Sequence, residues 1–279
     1  MPQETEKSFI QLLRSPEEAN VALALEIAKG SPALKPHLDQ YATLCQWAFR
    51  QPLTCGHIAT LNQEKLSLED YELTQVPPEI GVLDHLVELD LNINLLTALP
   101  PEIGQLKRLQ KLILSNNGLQ SLPAEIKQLE ALEELNLGNN QLKKLPVEIG
   151  QLKKLHWLNL FANKLKALPE EIGKLESLSL ISFGNNRIRK LPKSFGNLME
   201  LTYLSDEGSH LAKLPEEICQ LENLGVLHLI SDRGRLKKLP KGIDKLQKLQ
   251  VLLLKGQPIK TKEKQRLEAC LPGCKIEFE

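Results

Sequence analysis

The stretch Leu109-Gln-Lys-Leu112-Ile-Leu114-Ser-Asn-Asn117-Gly-Leu119-Gln-Ser-Leu122-Pro123-Ala-Glu-Ile126-Lys-Gln-Leu129-Glu-Ala decides the fold. Its opening alternates apolar and polar residues, the period of a strand with one buried face. Its remainder does not alternate and is punctuated by Asn, Gly and Pro. The stretch is 23 residues long and it recurs, with starts at Leu86, Leu109, Leu132, Leu155, Leu178 and Leu201. The fourth position is Leu or Ile throughout. The sixth is Leu91, Leu114, Leu137, Leu160, Phe183 and, as an exception, Asp206. The ninth is Asn94, Asn117, Asn140, Asn163 and Asn186, then Ser209. A Leu-Pro pair follows in every unit, from Leu99-Pro100 to Leu214-Pro215, and then an Ile, replaced once by Phe195. An imperfect unit runs from about Gln63 to His85. Another opens at Leu224, two residues longer within 231–235, and a half-unit opens at Leu249, giving eight full units and a terminal strand.

Self-similarity at a fixed period of this length means stacked coils. One short strand per coil, stacked in parallel, makes a continuous sheet. The repeating Asn falls where the chain leaves the strand, where its amide can both donate to and accept from backbone groups of neighbouring turns. Pro suits the start of a short helix or an extended segment on the far side. No unit buries its own apolar edge, so neighbours must cover it and both ends need caps.

Composition agrees. Aromatics are 4% of the 279 residues, so the core is aliphatic. Charge sums to zero, with 35 basic and 35 acidic residues interspersed, which argues against a nucleic-acid footprint. No stretch approaches the roughly 20 apolar residues that span a bilayer. The polar, acidic start has no basic segment leading into an apolar one, so no secretory signal is expected. Five cysteines at irregular spacing do not read as a disulfide framework, and a reducing cytoplasm is the expected compartment.

The pattern Leu-x-x-Leu-x-Leu-x-x-Asn-x-Leu-x-x-Leu-Pro-x-x-Ile-Gly-x-Leu resembles the leucine-rich repeat family, in its 23-residue Leu-Pro subtype. That subtype is similar to Ras-pathway scaffold proteins, plant intracellular Ras-group repeat proteins and bacterial repeat proteins. The resemblance covers Gln63 to the C-terminus. It implies an α/β fold: a right-handed solenoid, or horseshoe, with a parallel concave sheet. It also implies protein recognition, and no catalysis is expected because the repeats and caps leave no room for a catalytic domain.

The ends do not repeat. Ser15-Pro16-Glu17-Glu18 reads as a helix start with Ser15 as N-cap and Glu18 closing a capping box. Val21, Leu25 and Ala28 share a face, Gly30 is a stop, and a further helix is expected from about Pro36 to Arg50. Residues 1–62 therefore form a helical cap, 63–256 the repeats and 257–279 a C-terminal cap, with Ile276 and Phe278 sealing the last layer.

The third position of successive units reads Lys65, Glu88, Lys111, Glu134, then Trp157, Leu180, Tyr203, Val226, Val251. The first four alternate in sign and can pair across strands. The last five are apolar or aromatic, and Phe161, His228, Ile230 and Leu253 add to that half. An apolar row on an open sheet marks an interface, and Trp and Tyr are its usual anchors. The expected function is a non-catalytic scaffold or adaptor, using repeats five to nine to bind another protein. A homodimer through the same strip is the alternative. Asp206, in a core position, needs a partner such as Arg233 or Arg235 if buried. A local widening of the strand that leaves it in water is the favoured expectation.

Other chemistry finds no support. Cys45, Cys55 and His57 lack a second ligand pair at metal spacing. No His stands in a recognisable nucleophile motif, and no phosphate-binding loop occurs. Neither metal nor cofactor is expected. The Lys143-Lys144 and Lys153-Lys154 pairs read as a solvated face balanced by glutamates.

Overall fold

A computed structural model describes residues 2–208 and 210–278. Met1, Ser209 and Glu279 lie outside it, and with Ser209 the expected replacement of the ladder Asn in the seventh unit. Ten short strands form one parallel sheet in strict chain order. They are β1 Lys65–Ser67, β2 Glu88–Asp90, β3 Lys111–Ile113, β4 Glu134–Asn136, β5 Trp157–Asn159, β6 Leu180–Ser182, β7 Tyr203–Ser205, β8 Val226–His228, β9 Val251–Leu253 and β10 Lys275–Glu277. The molecule is a right-handed solenoid with the sheet on its concave side and a helical cap at its N-terminal end.

The register explains the period. Each third-position residue lies opposite its counterpart one unit on, from Lys65↔Glu88 to Val226↔Val251. Each fourth-position residue between them, such as Leu158 or Leu204, is fully buried. Alternation on a pleated strand leaves no other outcome. In the unit beginning at Leu86, Leu86, Leu89, Leu91, Leu96, Leu99, Ile103 and Leu106 are all at most 6% exposed. The unit beginning at Leu178 carries both aromatic replacements, and they meet: Phe183 and Phe195 pack edge to face at 6.2 Å. A larger ring at one position is matched by a larger ring at the other.

After each Leu-Pro the chain makes a short 3₁₀ turn, such as Pro101–Gln105, Val147–Gln151 or Glu170–Lys174. The first proline sits just outside the turn with extended backbone (φ −72°, ψ 152° at Pro100). Glycine after the buried Ile lets adjacent coils approach. A Cβ on Gly173 would lie 2.1 Å from the Ser194 carbonyl oxygen.

The asparagine ladder has the geometry that its position implies. The Oδ1 of Asn140 accepts the Leu119 N–H at 3.0 Å, while Nδ2 donates to Leu114 O at 2.9 Å and Leu137 O at 3.1 Å. Asn94, Asn117, Asn163 and Asn186 repeat the arrangement. Sequence reading overlooked its last member. Gln257 is the ninth residue of the terminal half-unit; its Oε1 accepts the Leu236 N–H at 3.1 Å and its Nε2 donates to Leu229 O at 2.8 Å. A longer amide does the same work from one carbon further away.

The N-terminal cap has four helices: α1 Pro2–Leu13, α2 Glu18–Lys29, α3 Lys35–Phe49 and α4 Cys55–Leu61. Phe9, Val21, Ala24, Tyr41, Leu44 and Ile58 form a core continuous with Leu66 and Leu83 of the first unit. Buried Asn62 ties the layers, donating to Leu13 O (2.8 Å) and Ser15 O (2.9 Å) and accepting from the Tyr41 hydroxyl (2.7 Å). One expectation is corrected. Ser15 does not cap α2, which begins at Glu18 with Glu17 as its N-cap. The Ser15 hydroxyl instead accepts from Glu17 N (3.1 Å) and Asn20 Nδ2 (3.0 Å), closing the turn that precedes the helix. Helix α4 carries Cys55-Gly56-His57, where His57 stacks on Phe49 at 4.8 Å and Thr54 caps the helix through His57 N. These residues are packing elements.

At the other end α5, Thr261–Cys270, and strand β10 close the stack. Glu263 accepts the Leu239 N–H at 3.0 Å and pairs with Arg266, which donates to Leu239 O at 3.2 Å. The hydrogen bonds from Arg266, outweighing burial, hold the Glu263 carboxyl below the usual range.

Candidate functional site

The concave face divides at the β4/β5 boundary. On its N-terminal side the third-position file is an ion-paired ladder. Lys65 reaches Glu88 at 3.1 Å, and Lys111 lies 3.5 Å from Glu88 and 3.6 Å from Glu134. Burial alone would raise the Glu88 carboxyl, but the hydrogen bonds and charges of Lys65 and Lys111 outweigh it and hold the group low. The charge of Glu134 raises Lys111 against desolvation, with Glu88 adding to it. Next to this file, Asp90 is pushed up by burial, despite a hydrogen bond from Asn92 N, with Glu69 and Glu88 adding to the rise. Asn92 accepts from the Ser115 hydroxyl (2.7 Å), and Asn136 accepts from Asn159 Nδ2 (3.0 Å). Lysine, glutamate and amide heads thus largely satisfy one another.

From β5 onward the same file is apolar. Trp157, Leu180, Tyr203, Val226 and Val251 lie side by side in register. Leu180 is exposed and the other four are half-buried, all on the open face. Phe161 and Ile230, two places beyond their strands' ends, and His228 and Leu253, within β8 and β9, are also half-buried. The structure therefore brings Trp157, Phe161, Leu180, Tyr203, Val226, His228, Ile230, Val251 and Leu253 onto one wall.

One polar group in this wall escaped sequence reading. Glu207 occupies the position held by Phe161 and Ile230 in other units, a correspondence that counting through the repeat would have revealed. Its carboxylate lies 3.5 Å from His228 Nδ1 and 3.4 Å from the Ser205 hydroxyl. The Tyr203 hydroxyl is 3.2 Å from the same Nδ1, and the two rings meet edge to face at 5.3 Å. The Tyr203 ring is therefore held in place by a polar second contact.

The expected widening at Asp206 does not occur. Asp206 is 2% exposed. Its N–H donates to His228 O at 2.8 Å and Gly208 N–H to Ile230 O at 2.7 Å, so strand pairing continues past β7 and the side chain must point inward. Arg233 and Arg235 are both exposed.

Among the described residues no group of three or more His, Cys, Asp or Glu is placed to hold a metal, and no helix is long and apolar enough to cross a membrane. All five cysteines are free thiols; burial pushes Cys45 and Cys219 up to about 11.

With this geometry in view, comparison with known proteins agrees. A family model described as leucine rich repeat matches residues 107–165. A leucine-rich repeat protein of Leptospira interrogans is similar in structure, with 39% identity and a TM-score of 0.62 over 76% of this chain and 60% of that one. The plant peptide hormone receptor RGFR1, solved in complex with RGF2, shares 27% identity with a TM-score of 0.58, over 78% of this chain and 40% of that one. A TDR receptor shares 26% identity with a TM-score of 0.52, over 67% and 38%. None of the curated proteins compared matches. The chain is a leucine-rich repeat protein. It spans about 60% of the length of the Leptospira protein and well under half of each receptor. Repeats of this family serve generally as protein-binding scaffolds without catalysis of their own.

Proposed function

We propose that this chain is a non-catalytic cytoplasmic adaptor that docks another protein on its concave face, over repeats five to nine, with Trp157, Phe161 and Tyr203 as anchors. One observation carries the reading: a single file changes from paired charges to five consecutive apolar side chains at Trp157 without any change in backbone register. The backbone needs no such change, and an open apolar wall is costly in water unless something covers it. That RGFR1 was solved in complex with RGF2 supports partner binding as a use of the fold.

The test is affinity capture of partners with wild type, Trp157→Glu and Tyr203→Ser, with light scattering of each across a concentration series. The adaptor reading expects a monomer and a partner lost from both variants, which remain folded. A concentration-dependent dimer abolished by Trp157→Glu would transfer the strip to a homodimer. Capture unaffected by both substitutions would remove the concave wall from the function.

A further inference from the structure

A further groove lies off the concave face. It has a volume of about 760 Å³ and runs along the Leu-Pro edge of repeats five to eight, and no strand residue lines it. Leu191, Leu214 and Leu239 form its floor with the prolines that follow them. Along one side stand Lys190, Lys213 and Lys238, each immediately before a Leu-Pro pair. The two positions before Leu-Pro also supply exposed Lys144 and Lys166 in the preceding coils and Arg189 beside Lys190. In the first three units these two positions read Thr74-Gln75, Thr97-Ala98 and Gln120-Ser121, so the charge belongs to the C-terminal half alone.

The basic row stands beside Glu170, Glu216 and Glu217, which line the same groove, without pairing with them. Lys153 does pair with Glu176 at 2.7 Å. By contrast, none of Lys144, Lys166, Arg189, Lys190, Lys213 and Lys238 joins an ion pair among the described residues. Of the acidic groups on the opposite wall, Glu217 is paired with Lys193 at 3.7 Å and Glu170 accepts the Ser194 N–H at 3.3 Å. Glu216 lines the same groove and joins no ion pair among the described residues.

We infer that this edge is a second docking site, and that its occupant is an extended peptide segment alternating acidic and aliphatic side chains. Charge complementarity selects an anionic partner, and the exposed Ala167 with half-buried Pro192 and Pro215 selects an apolar component. Strands about 4.8 Å apart place the five coils from Lys144 to Lys238 over at least ~19 Å, the length of about six extended residues. A polyphosphate chain would meet Glu216 and gain nothing from Ala167, Pro192 and Pro215. A membrane surface could not follow floor residues that are only 3–5% exposed behind the lysine row.

The probe is a fluorescein-labelled octapeptide of alternating Asp and Leu, titrated with the intact chain and read by anisotropy. Saturable binding is expected, weakening at least tenfold in Lys190→Glu/Lys213→Glu and again when salt is raised from 50 to 300 mM. Trp157→Glu should leave it unchanged, so failure here and failure of the concave wall are read separately. The variants alter exposed side chains, and matched circular dichroism confirms their fold. Binding indifferent to the charge reversal overturns the site. So does tighter binding to oligothymidylate or to vesicles of 30% phosphatidylserine than to the peptide, or a chain dimer lost in the same variant.

Discussion

The two halves of the concave sheet share a backbone and differ in what it carries. From β1 to β4 the outward file is Lys65, Glu88, Lys111 and Glu134, joined by three ion pairs. From β5 to β9 it is five apolar residues at the same strand positions. Burial beneath the two halves is alike, since fourth-position residues from Leu89 to Leu252 are at most 1% exposed. Inward positions thus maintain the coil, and outward ones are free to be specialised. The Leu-Pro edge shows the same division, neutral in the first three units and basic later. Substitutions that act on what the halves share should therefore cost stability, and substitutions on what differs should cost binding.

The largest effect is expected from the shared ladder. Asn140→Ala strips the acceptor from Leu119 N–H and the donor shared by three carbonyls, all in a region closed to water. Each orphaned group costs about 1–3 kcal/mol, so a loss of roughly 3 kcal/mol is expected in urea unfolding. Gln257→Ala, at the last turn, should cost clearly less because fewer coils depend on it. Equal losses at the two sites would mean that the ladder does not act by burial. Next comes the wall itself. Trp157→Glu should weaken the concave partner by about 30-fold or more, the equivalent of roughly 2 kcal/mol at an aromatic hot spot. Thermal stability should shift little, because the ring is only half-buried. Glu134→Trp, the reciprocal change, should leave binding intact or extend it. A collapse of folding in Trp157→Glu would make the ring structural.

The coil was legible because its determinants are local and repeated: one Leu in the wrong place would break a file of equals. Gln257 and Glu207 were missed for a related reason. Each departs from the residue type that defines its position, and only the three-dimensional file shows that Gln257 still performs the ladder's task. Asp206 was read as solvated because an acid in a core file is costly, yet the uninterrupted pairing at His228 and Ile230 leaves its side chain no outward path. Of the basic edge only Lys143-Lys144 is read from the sequence, as a solvated pair balanced by glutamates. Ion pairing depends on which coil a side chain reaches across, and sequence proximity does not report that.

Backbone strain offers a smaller test of the comparison. The eighth position of most units has left-handed φ, with Asn116, Asn139 and Asn185 near 54° and glycines at 208 and 256. Ile93 takes the same conformation at φ 51° although it is β-branched and 45% exposed. Ile93→Asn should therefore stabilise the N-terminal half by about 1 kcal/mol. Ala162→Asn, at φ 54° in the C-terminal half, should gain less because alanine is less crowded there. Destabilisation by Ile93→Asn, seen as a lower urea midpoint, would show that the side chain packs usefully despite its exposure.

The smallest effect lies in the charge ladder, and its sign follows from the shifts. The Glu88 carboxyl is held below its ordinary value, so its contribution is present at neutral pH and is lost as pH falls through the folded value. Lys111 is raised, so its contribution persists until pH climbs past its ordinary range and through the higher folded value. The ladder is therefore complete at neutral pH, and both extremes erode it. Each partly exposed pair is worth about 0.5 kcal/mol, so Glu88→Gln should cost less than ~1 kcal/mol at pH 7 and low salt. That difference should shrink as pH falls through the lowered folded value of Glu88 and vanish in 1 M salt, because wild-type Glu88 is then protonated or screened. The apolar file from Trp157 to Val251 holds no group that titrates in this acid window, so the reciprocal measurement with Val226→Ala should give the same cost at pH 7 and pH 3. If the Glu88→Gln penalty persists unchanged in 1 M salt, the ion pairs contribute nothing, and the N-terminal file is merely a hydrated surface beside the apolar one.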